Sequence, residues 1–536
     1  MITKHLMGLL AGMAICAGAF AQSGTTSNPG PVISSSKDAV TRTTNGPVIG
    51  YVDDGVYVFK GIPYAAAERF APPTDPEPWT EVRMARVYGP ACPQGSNLVW
   101  RGQNDYEFAF RYTKEVFDEK DMFTVNVFTK GLQDGKKRPV FVWFHGGGFS
   151  SGSAINLACY EGTSLAKKGD IVVVTVNHRL NCLGFLDLSS FGERYKYSAN
   201  TGVMDMVKSL EWIRDNIEYF GGDPSAVTIA GQSGGGGKVQ TLMVTPSAKG
   251  LFHRAIVQSG PYGAGHMMAK KAAQDYGKRV AAALGLDAGN IDKILTVPYE
   301  ELSEAARKAG MANGGRFMDG PTCGDPTLPY DWFAPEADYL HKDIPLMIGS
   351  TFNELGHTLY YDVELTETQA DEILSNRFGS AAPEFKKEFF KAYPGMAIND
   401  MVSIDINTRK STIVVADKKY NIGGAPVYMY QFRWKSPVLD GKFGATHNMD
   451  LPFMFNNISL QRELTGSTPD AYQLADRMSA AWIAFTRSGD PNNSSLPSWP
   501  KYDPSKRNIM VFDKKCESLS NHDRKLLDIA PEKGMF

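Results

Sequence analysis

Apolar residues along the chain fall into short continuous runs separated by longer segments of helical period. Pro139 to Phe144 (PVFVWF) is apolar throughout and stops at a histidine and three glycines. Ile171 to Val176 (IVVVTV) is a β-branched run, the pattern of a strand buried on both faces. Val227 to Ala230, Ala255 to Gln258, Ile344 to Ile348 and Val427 to Trp434 predict further strands. Between them, Gly202 to Phe220 places Met206, Leu210, Ile213 and Ile217 at helical spacing and ends at Gly221-Gly222. Val239 to Met243 also predicts helix. Strand and helix in alternation predict a mostly parallel central sheet flanked by helices. Chemistry in such sheets gathers at the carboxyl ends of the strands. Upstream, β-branched and aromatic residues from Ala39 to Phe59 are broken by Asn45-Gly46 and Asp53-Asp54-Gly55. Those turn signals predict a small N-terminal region of short antiparallel strands.

The first residues follow another logic. Lys4 and His5 precede an apolar run from Leu6 to Ala17, and Ala19-Phe20-Ala21 then offers a small-residue cleavage site. This order predicts a signal peptide over 1–21, cleaved before Gln22, and a secreted or periplasmic product. The run is shorter than the ~20 apolar residues a spanning helix needs, so no stable membrane anchor is expected. Cys16 follows Ile15, where a lipid-attachment site wants a small residue, so lipidation is not expected either. Residues 22–37 are rich in Ser, Thr, Gly and Pro and predict a flexible mature N-terminus; 38–536 is read as one α/β domain. The composition, 43% hydrophobic and 21% charged, is that of a globular chain with a large core. A formal net charge of −2 without a long basic run argues against nucleic acid as a partner. No C-x-x-C and no H-x-x-x-H occurs, so neither a metal site nor a cofactor is expected. Five cysteines (92, 159, 182, 323 and 516) follow the cleavage site, an odd number that leaves at least one thiol unpaired within the chain.

Gly231-Gln232-Ser233-Gly234-Gly235 fits G-x-S-x-G between a predicted strand and a predicted helix. That is the setting of a nucleophile elbow, a sharp turn lifting a serine hydroxyl clear of the sheet. A glycine-rich connector with a chance serine is the bland alternative, and the strand–turn–helix context disfavours it. A phosphate-binding loop is a second alternative. It requires G-x-x-x-x-G-K-[ST], but Gln232 stands where the first Gly belongs and Val239 follows Lys238, so two positions fail. A serine hydroxyl needs a base oriented by a third group, and in this fold acid and histidine follow the serine in that order. Glu354 lies just past the strand at 344–348. Of the histidines after Ser233 (253, 266, 341, 357, 447 and 522), His447 lies in a loop beyond the strand at 427–434 and is the best base by position. His145-Gly146-Gly147-Gly148-Phe149 follows another strand, and its glycines would let backbone N–H groups approach a developing oxyanion.

These residues resemble the type-B carboxylesterase family, which includes cholinesterases and bacterial para-nitrobenzyl esterases. The likeness is collinear over nearly the whole mature chain. It runs from Phe59-Lys60-Gly61-Ile62-Pro63-Tyr64-Ala65 and Arg69-Phe70 through HGGGF, Val176-Asn177-His178-Arg179-Leu180 and Ala199-Asn200-Thr201-Gly202. Phe220-Gly221-Gly222-Asp223-Pro224, the elbow, Glu354, His447 with Leu451-Pro452-Phe453, and Trp482 to Pro491 complete it. The resemblance implies an α/β-hydrolase fold, with Ser233, Glu354 and His447 as catalytic triad. It implies the N–H groups of Gly147, Gly148 and Gly234 as oxyanion hole, and a small-molecule ester and water as reactants. Three departures stand out. Gln232 and Gly234 flank the serine where the family often has an acidic residue and alanine. Glu119-Lys120-Asp121-Met122-Phe123 lacks the cysteine that would pair with Cys92. No choline-binding tryptophan has a clear match.

The first expectation is therefore a serine carboxylic ester hydrolase. A detoxifying esterase, lipase or amidase for a bulky substrate is the second. A cholinesterase-like binding module without catalysis is the third, and retention of every triad member disfavours it.

Overall fold

The computed structural model describes residues 30–95, 105, 109, 115–263, 267–311, 319–356 and 363–530. The expected signal peptide and the first half of the 22–37 segment, residues 22–29, lie outside the described residues.

Twelve described strands form the central sheet. In chain order they are β1 (Val32–Ile33), β2 (Tyr51–Asp53), β3 (Val56–Pro63), β4 (Thr124–Thr129), β5 (Arg138–Phe144), β6 (Val172–Val176), β7 (Gly222–Gln232), β8 (Arg254–Gln258), β9 (Leu346–Thr351), β10 (Val427–Phe432), β11 (Ile509–Phe512) and β12 (Glu517–Leu519). They lie side by side as β1-β2-β3-β4-β6-β5-β7-β8-β9-β10-β11-β12. From β6 to β11 every pair is parallel; at both margins the pairs are antiparallel. The apolar runs account for the middle of this order. All five residues of β6 and all six of β9 and β10 are buried, as strands covered on both faces require. The expected antiparallel N-terminal strands are also present: Val40–Arg42 pairs with Pro47–Ile49, and β2 with β3.

Helices cover both faces, among them α1 (Thr201–Asn216), α2 (Gly234–Met243), α3 (Asn407–Asn421) and α4 (Pro469–Ser488). The β6–α1 connection is fixed by a buried ion pair. Arg179 donates from Nη2 to Asp205 Oδ1 at 2.6 Å and from Nε to Oδ2 at 2.8 Å. On one face α4 places Trp482 against Tyr430 of β10, ring centroids 5.1 Å apart, and its indole N–H donates to Gln258 Oε1 at 3.0 Å. No helix among the described residues is long and apolar enough to cross a membrane.

One helix starts well before the sequence pattern predicts. Helix α2 begins at Gly234, five residues before the expected Val239, so the glycine run is itself the first helical turn. Glycine weakens a helix in isolation, but tertiary contact reverses the preference here. A Cβ on Gly235 would lie 2.1 Å from the Phe144 carbonyl oxygen. On Gly237 it would lie 1.9 Å from the Tyr262 hydroxyl. The helix runs so close to β5 and to the loop after β8 that no larger residue fits.

Candidate active site

Four segments converge at the carboxyl ends of the parallel strands. The His145–Phe149 loop follows β5, Ser233 follows β7, Glu354 follows β9, and the loop holding His447 follows β10. β5 and β7 are neighbours, as are β9 and β10, and β8 separates the two pairs.

Ser233 occupies the turn between β7 and α2 with φ 57° and ψ −128°, a conformation that costs a non-glycine residue on the order of 1–3 kcal/mol. Its N–H donates to the Gln258 carbonyl at 2.8 Å, and its own carbonyl accepts from Gly237 N–H at 3.2 Å. The turn is thus held from the β8 side and from the first turn of α2. Glycine at 231 is required because a Cβ there would lie 2.3 Å from the Gly235 carbonyl oxygen.

The His145–Phe149 loop lies against this turn. A Cβ on Gly146 would be 3.4 Å from Ser233 Cβ, and one on Gly234 would fall 2.3 Å from the backbone of Gly148. Gly147 and Gly148 take φ of 87° and 64° and are exposed. Ser150 and Ser151 N–H groups close the loop on the Gly147 carbonyl at 3.3 and 3.0 Å. The N–H groups of Gly147, Gly148 and Gly234 donate to no backbone carbonyl among the described residues. Three open donors therefore lie beside Ser233, one of them at the amino end of a helix, where the dipole favours negative charge.

Glu354 and His447 meet. His447 Nδ1 is hydrogen-bonded to Glu354 Oε2, while Glu354 Oε1 accepts from Thr351 N–H at 2.7 Å. The two loops are also stitched together along the backbone. His447 N–H and Thr446 Oγ1 donate to the Glu354 carbonyl at 3.2 and 3.1 Å. Asn353 N–H donates to the Ala445 carbonyl at 3.1 Å, and Ala445 N–H to Asn353 Oδ1 at 2.8 Å. Burial works against the imidazolium, yet Glu354, with Asp450 and Asp405 behind it, overcomes that penalty and holds His447 above the ordinary imidazole range. The same crowding raises the other two acids. Burial and the Glu354 charge push Asp450 up to about 6 and Asp405 up to about 7. With Nδ1–H engaged by Glu354, the lone pair falls on Nε2, the tautomer a general base needs.

Ser233, the third residue of the expected triad, is not joined to the other two by a hydrogen bond. Ser233 Oγ makes none to His447; the neighbouring Gln232 does, its Nε2 lying 3.1 Å from His447 Nε2 and 3.3 Å from Nδ1. Gln232 is wholly buried and its Oε1 has no hydrogen-bond partner among the described residues. The other downstream histidines stand apart. His341 stacks on Trp332, His522 contacts Arg433, and His253 accepts from Val227 N–H. His266 and His357 lie outside the described residues. The pairing of Glu354 with His447 was expected from chain order and loop placement, and that of Ser233 with the His145–Phe149 loop from the HGGG motif after a strand. Asp450 was not, although it stands three residues after His447; its Oδ2 accepts from Gln258 Nε2 and Tyr430 OH, each at 3.0 Å. A single carboxylate in a loop carries no sequence signal until strands β8 and β10 bring partners to it.

No group of three or more His, Cys, Asp or Glu among the described residues is arranged to hold a metal. The five described cysteines are free thiols.

A mostly parallel sheet with a strained serine on a strand–turn–helix elbow defines an α/β-hydrolase enzyme. Comparison with known proteins makes the assignment particular. The model of the Carboxylesterase family matches residues 37–527, and the chain belongs to that family. It is 34% identical over 509 residues to para-nitrobenzyl esterase of Bacillus subtilis, covering 92% of this chain and 99% of that protein. It is 33% identical to phenmedipham hydrolase of Pseudarthrobacter oxydans, covering 86% of this chain and 92% of that one. Among solved structures, an esterase of Clostridium hathewayi described as able to hydrolyze aliphatic aromatic polyesters superposes with a TM-score of 0.83. That match is at 37% identity over 92% of this chain and 97% of the other. The protein is a carboxylic ester hydrolase.

Proposed function

We propose that the ester is cleaved through an acyl-enzyme on Ser233. Its Oγ attacks the acyl carbon while His447 Nε2 takes the hydroxyl proton. Glu354 holds Nδ1–H and stabilises the imidazolium that forms. The carbonyl oxygen, now an oxyanion, is met by the N–H groups of Gly147, Gly148 and Gly234. Collapse expels the alcohol, which receives the proton from His447; water then repeats the sequence and releases the acid. The observation that carries this reading is the Glu354–His447 contact, made by two loops leaving adjacent strands beside the Ser233 elbow. The missing Ser233–His447 hydrogen bond is compatible with it, because catalytic contacts often tighten only when substrate is bound. A fluorophosphonate probe tests the reading: it should label Ser233, and a labelled peptide containing another serine refutes it.

We further propose that 38–536 is one hydrolase domain, exported after cleavage before Gln22. For substrate class, the named activities of two relatives favour esters with an aromatic part. A panel of benzyl, nitrophenyl and alkyl esters of graded acyl length separates that class from lipase-like or amidase activity.

A further inference from the structure

Lys238 is fully buried, yet the reaction described above does not use it. It lies on α2, five residues after Ser233. Among the described residues no carboxylate pairs with it. Its Nζ donates to one acceptor, the carbonyl oxygen of His145, at 2.8 Å. Its other neighbours are the Phe149 ring, with centroid 5.9 Å away, and the electrostatic presence of the His145 and His178 imidazoles and the Cys92 thiol. A buried lysine without a counter-charge is costly, and one hydrogen bond does not offset the loss of hydration. Burial accordingly drives its pKa well below the ordinary lysine range. A methionine of similar length would fill the same space without that cost. The residue weakens the fold where it stands, so its use must be sought in what it holds.

What it holds is the oxyanion loop. β5 ends at Phe144, and from His145 onward the carbonyls leave the ladder of the sheet. Buried carbonyls that leave a ladder need another donor. Gly235 and Lys238 are three residues apart and so share one face of α2. On that face a Cβ at Gly235 would touch the carbonyl oxygens of both Phe144 and His145. Long helical side chains lean back toward the helix amino end, which carries the Lys238 amine to His145. One side chain of the nucleophile-bearing helix thereby grips the residue at which the loop begins, two positions before Gly147 and three before Gly148. The third open donor, Gly234, belongs to the same helix. We infer that Lys238 is a positioning residue, whose bond to the His145 carbonyl sets the spacing between the loop donors and the helix donor of the oxyanion hole. This inference rests on the oxyanion role proposed above. Only the N–H to the His145 oxygen is needed, so the neutral amine serves as well as the ammonium.

The test is Lys238→Met, measured for kcat and KM on a nitrophenyl ester, for affinity toward a trifluoromethyl ketone, and for thermal stability. The ketone forms a tetrahedral adduct with serine and therefore reads the oxyanion site. The expected result is a kcat lower by about tenfold or more at nearly constant KM, as partial misplacement of oxyanion donors implies. Ketone affinity should fall in step with kcat/KM. The melting temperature should hold or rise, because a buried amine has been removed. Thr241→Val on the same helix removes the buried Thr241 hydroxyl bond to the Gly237 carbonyl. It should lose stability and leave kcat and ketone affinity near the parent's values. A methionine variant with parental kcat and ketone affinity overturns the inference, as does one in which KM alone moves. If the methionine variant does not fold, Lys238→Gln carries the test. Its shorter amide must draw His145 out of place to keep the bond, so kcat should fall severalfold at constant KM, and parental kcat overturns the inference. Gly147→Val separates this failure from that of the oxyanion role. Loss of activity there with a parental Lys238 variant sinks only the lysine; parental activity in both sinks the oxyanion hole itself.

Discussion

His447 is bound to Glu354 twice, by side chain and by main chain. Its Nδ1 meets the Glu354 carboxylate, and its backbone N–H donates to the carbonyl of the same glutamate at 3.2 Å. The second contact matters because it survives changes to the side chains. Glu354→Gln should therefore leave the loop in place and remove only the charge. The expected result is a folded enzyme with kcat lower by about 10³-fold or more, and losses of about 10⁴-fold or more for Ser233→Ala and His447→Ala. Circular dichroism paired with steady-state kinetics checks this. A glutamine variant retaining a tenth of the parental kcat would remove Glu354 from the mechanism.

The close contact between the glycine loop and the elbow makes a second prediction. A side chain at Gly147 would meet the Ser151 carbonyl oxygen at 2.3 Å, on a backbone with φ 87° that resists side chains. Gly147→Val should lower kcat about 10²-fold or more, the usual loss for an oxyanion donor. Gly234→Ala places a methyl 2.3 Å from the Gly148 backbone and should displace the same loop. That variant is informative because the family often carries alanine there. If Gly234→Ala keeps parental kcat, the loop tolerates a wider setting than this structure has.

Much of this arrangement was legible before any coordinates, and the reason is local chemistry. PVFVWF is apolar throughout and IVVVTV β-branched throughout because β5 and β6 are covered on both faces, so each run announces its own burial. Ser233, Glu354 and the HGGG loop lie directly after such runs, and His447 in the loop beyond another, where reactive groups in parallel sheets collect. What stayed hidden depends on partners far away in sequence. Helix α2 starts at Gly234 because of Phe144 and Tyr262, neither of which a helix propensity can see. Lys238 read as the failed end of a phosphate-binding motif, since its acceptor lies 93 residues upstream. The acidic pocket of Asp405 and Asp450 behind His447 is likewise assembled only by the sheet.

Export is checked on the protein itself. Mass analysis of the mature N-terminus should find Gln22 and no lipid. A retained Met1, or lipid on Cys16, would overturn the proposed processing.

Gln232 leads to the last prediction. Its neutral amide lies 3.1 Å from His447 Nε2, where the family often places an acid. In the proposed mechanism only the neutral imidazole can accept the Ser233 proton, so activity should be lost as pH falls through the His447 pKa. Glu354, Asp450 and Asp405 already hold that pKa above the ordinary imidazole range, so the acidic limb of kcat/KM should lie above about 6.5. Gln232→Glu adds a further negative charge beside the ring, favours the imidazolium, and should move the limb to higher pH. Asp450→Asn removes a charge that raises the same pKa and should move the limb down. The two shifts are opposite in sign, so a general change in stability cannot produce both. One pKa unit corresponds to about 1.4 kcal/mol of differential interaction, and a carboxylate within contact distance in a partly buried site reaches that scale. The measurement is kcat/KM against pH for the parent and both variants, on a substrate that does not itself titrate. A limb that stays put in Gln232→Glu, in an enzyme still folded and active, would mean that the added glutamate is protonated over the working range. It would then exert no field on the base, and the burial that leaves Gln232 Oε1 without a partner among the described residues would be the cause.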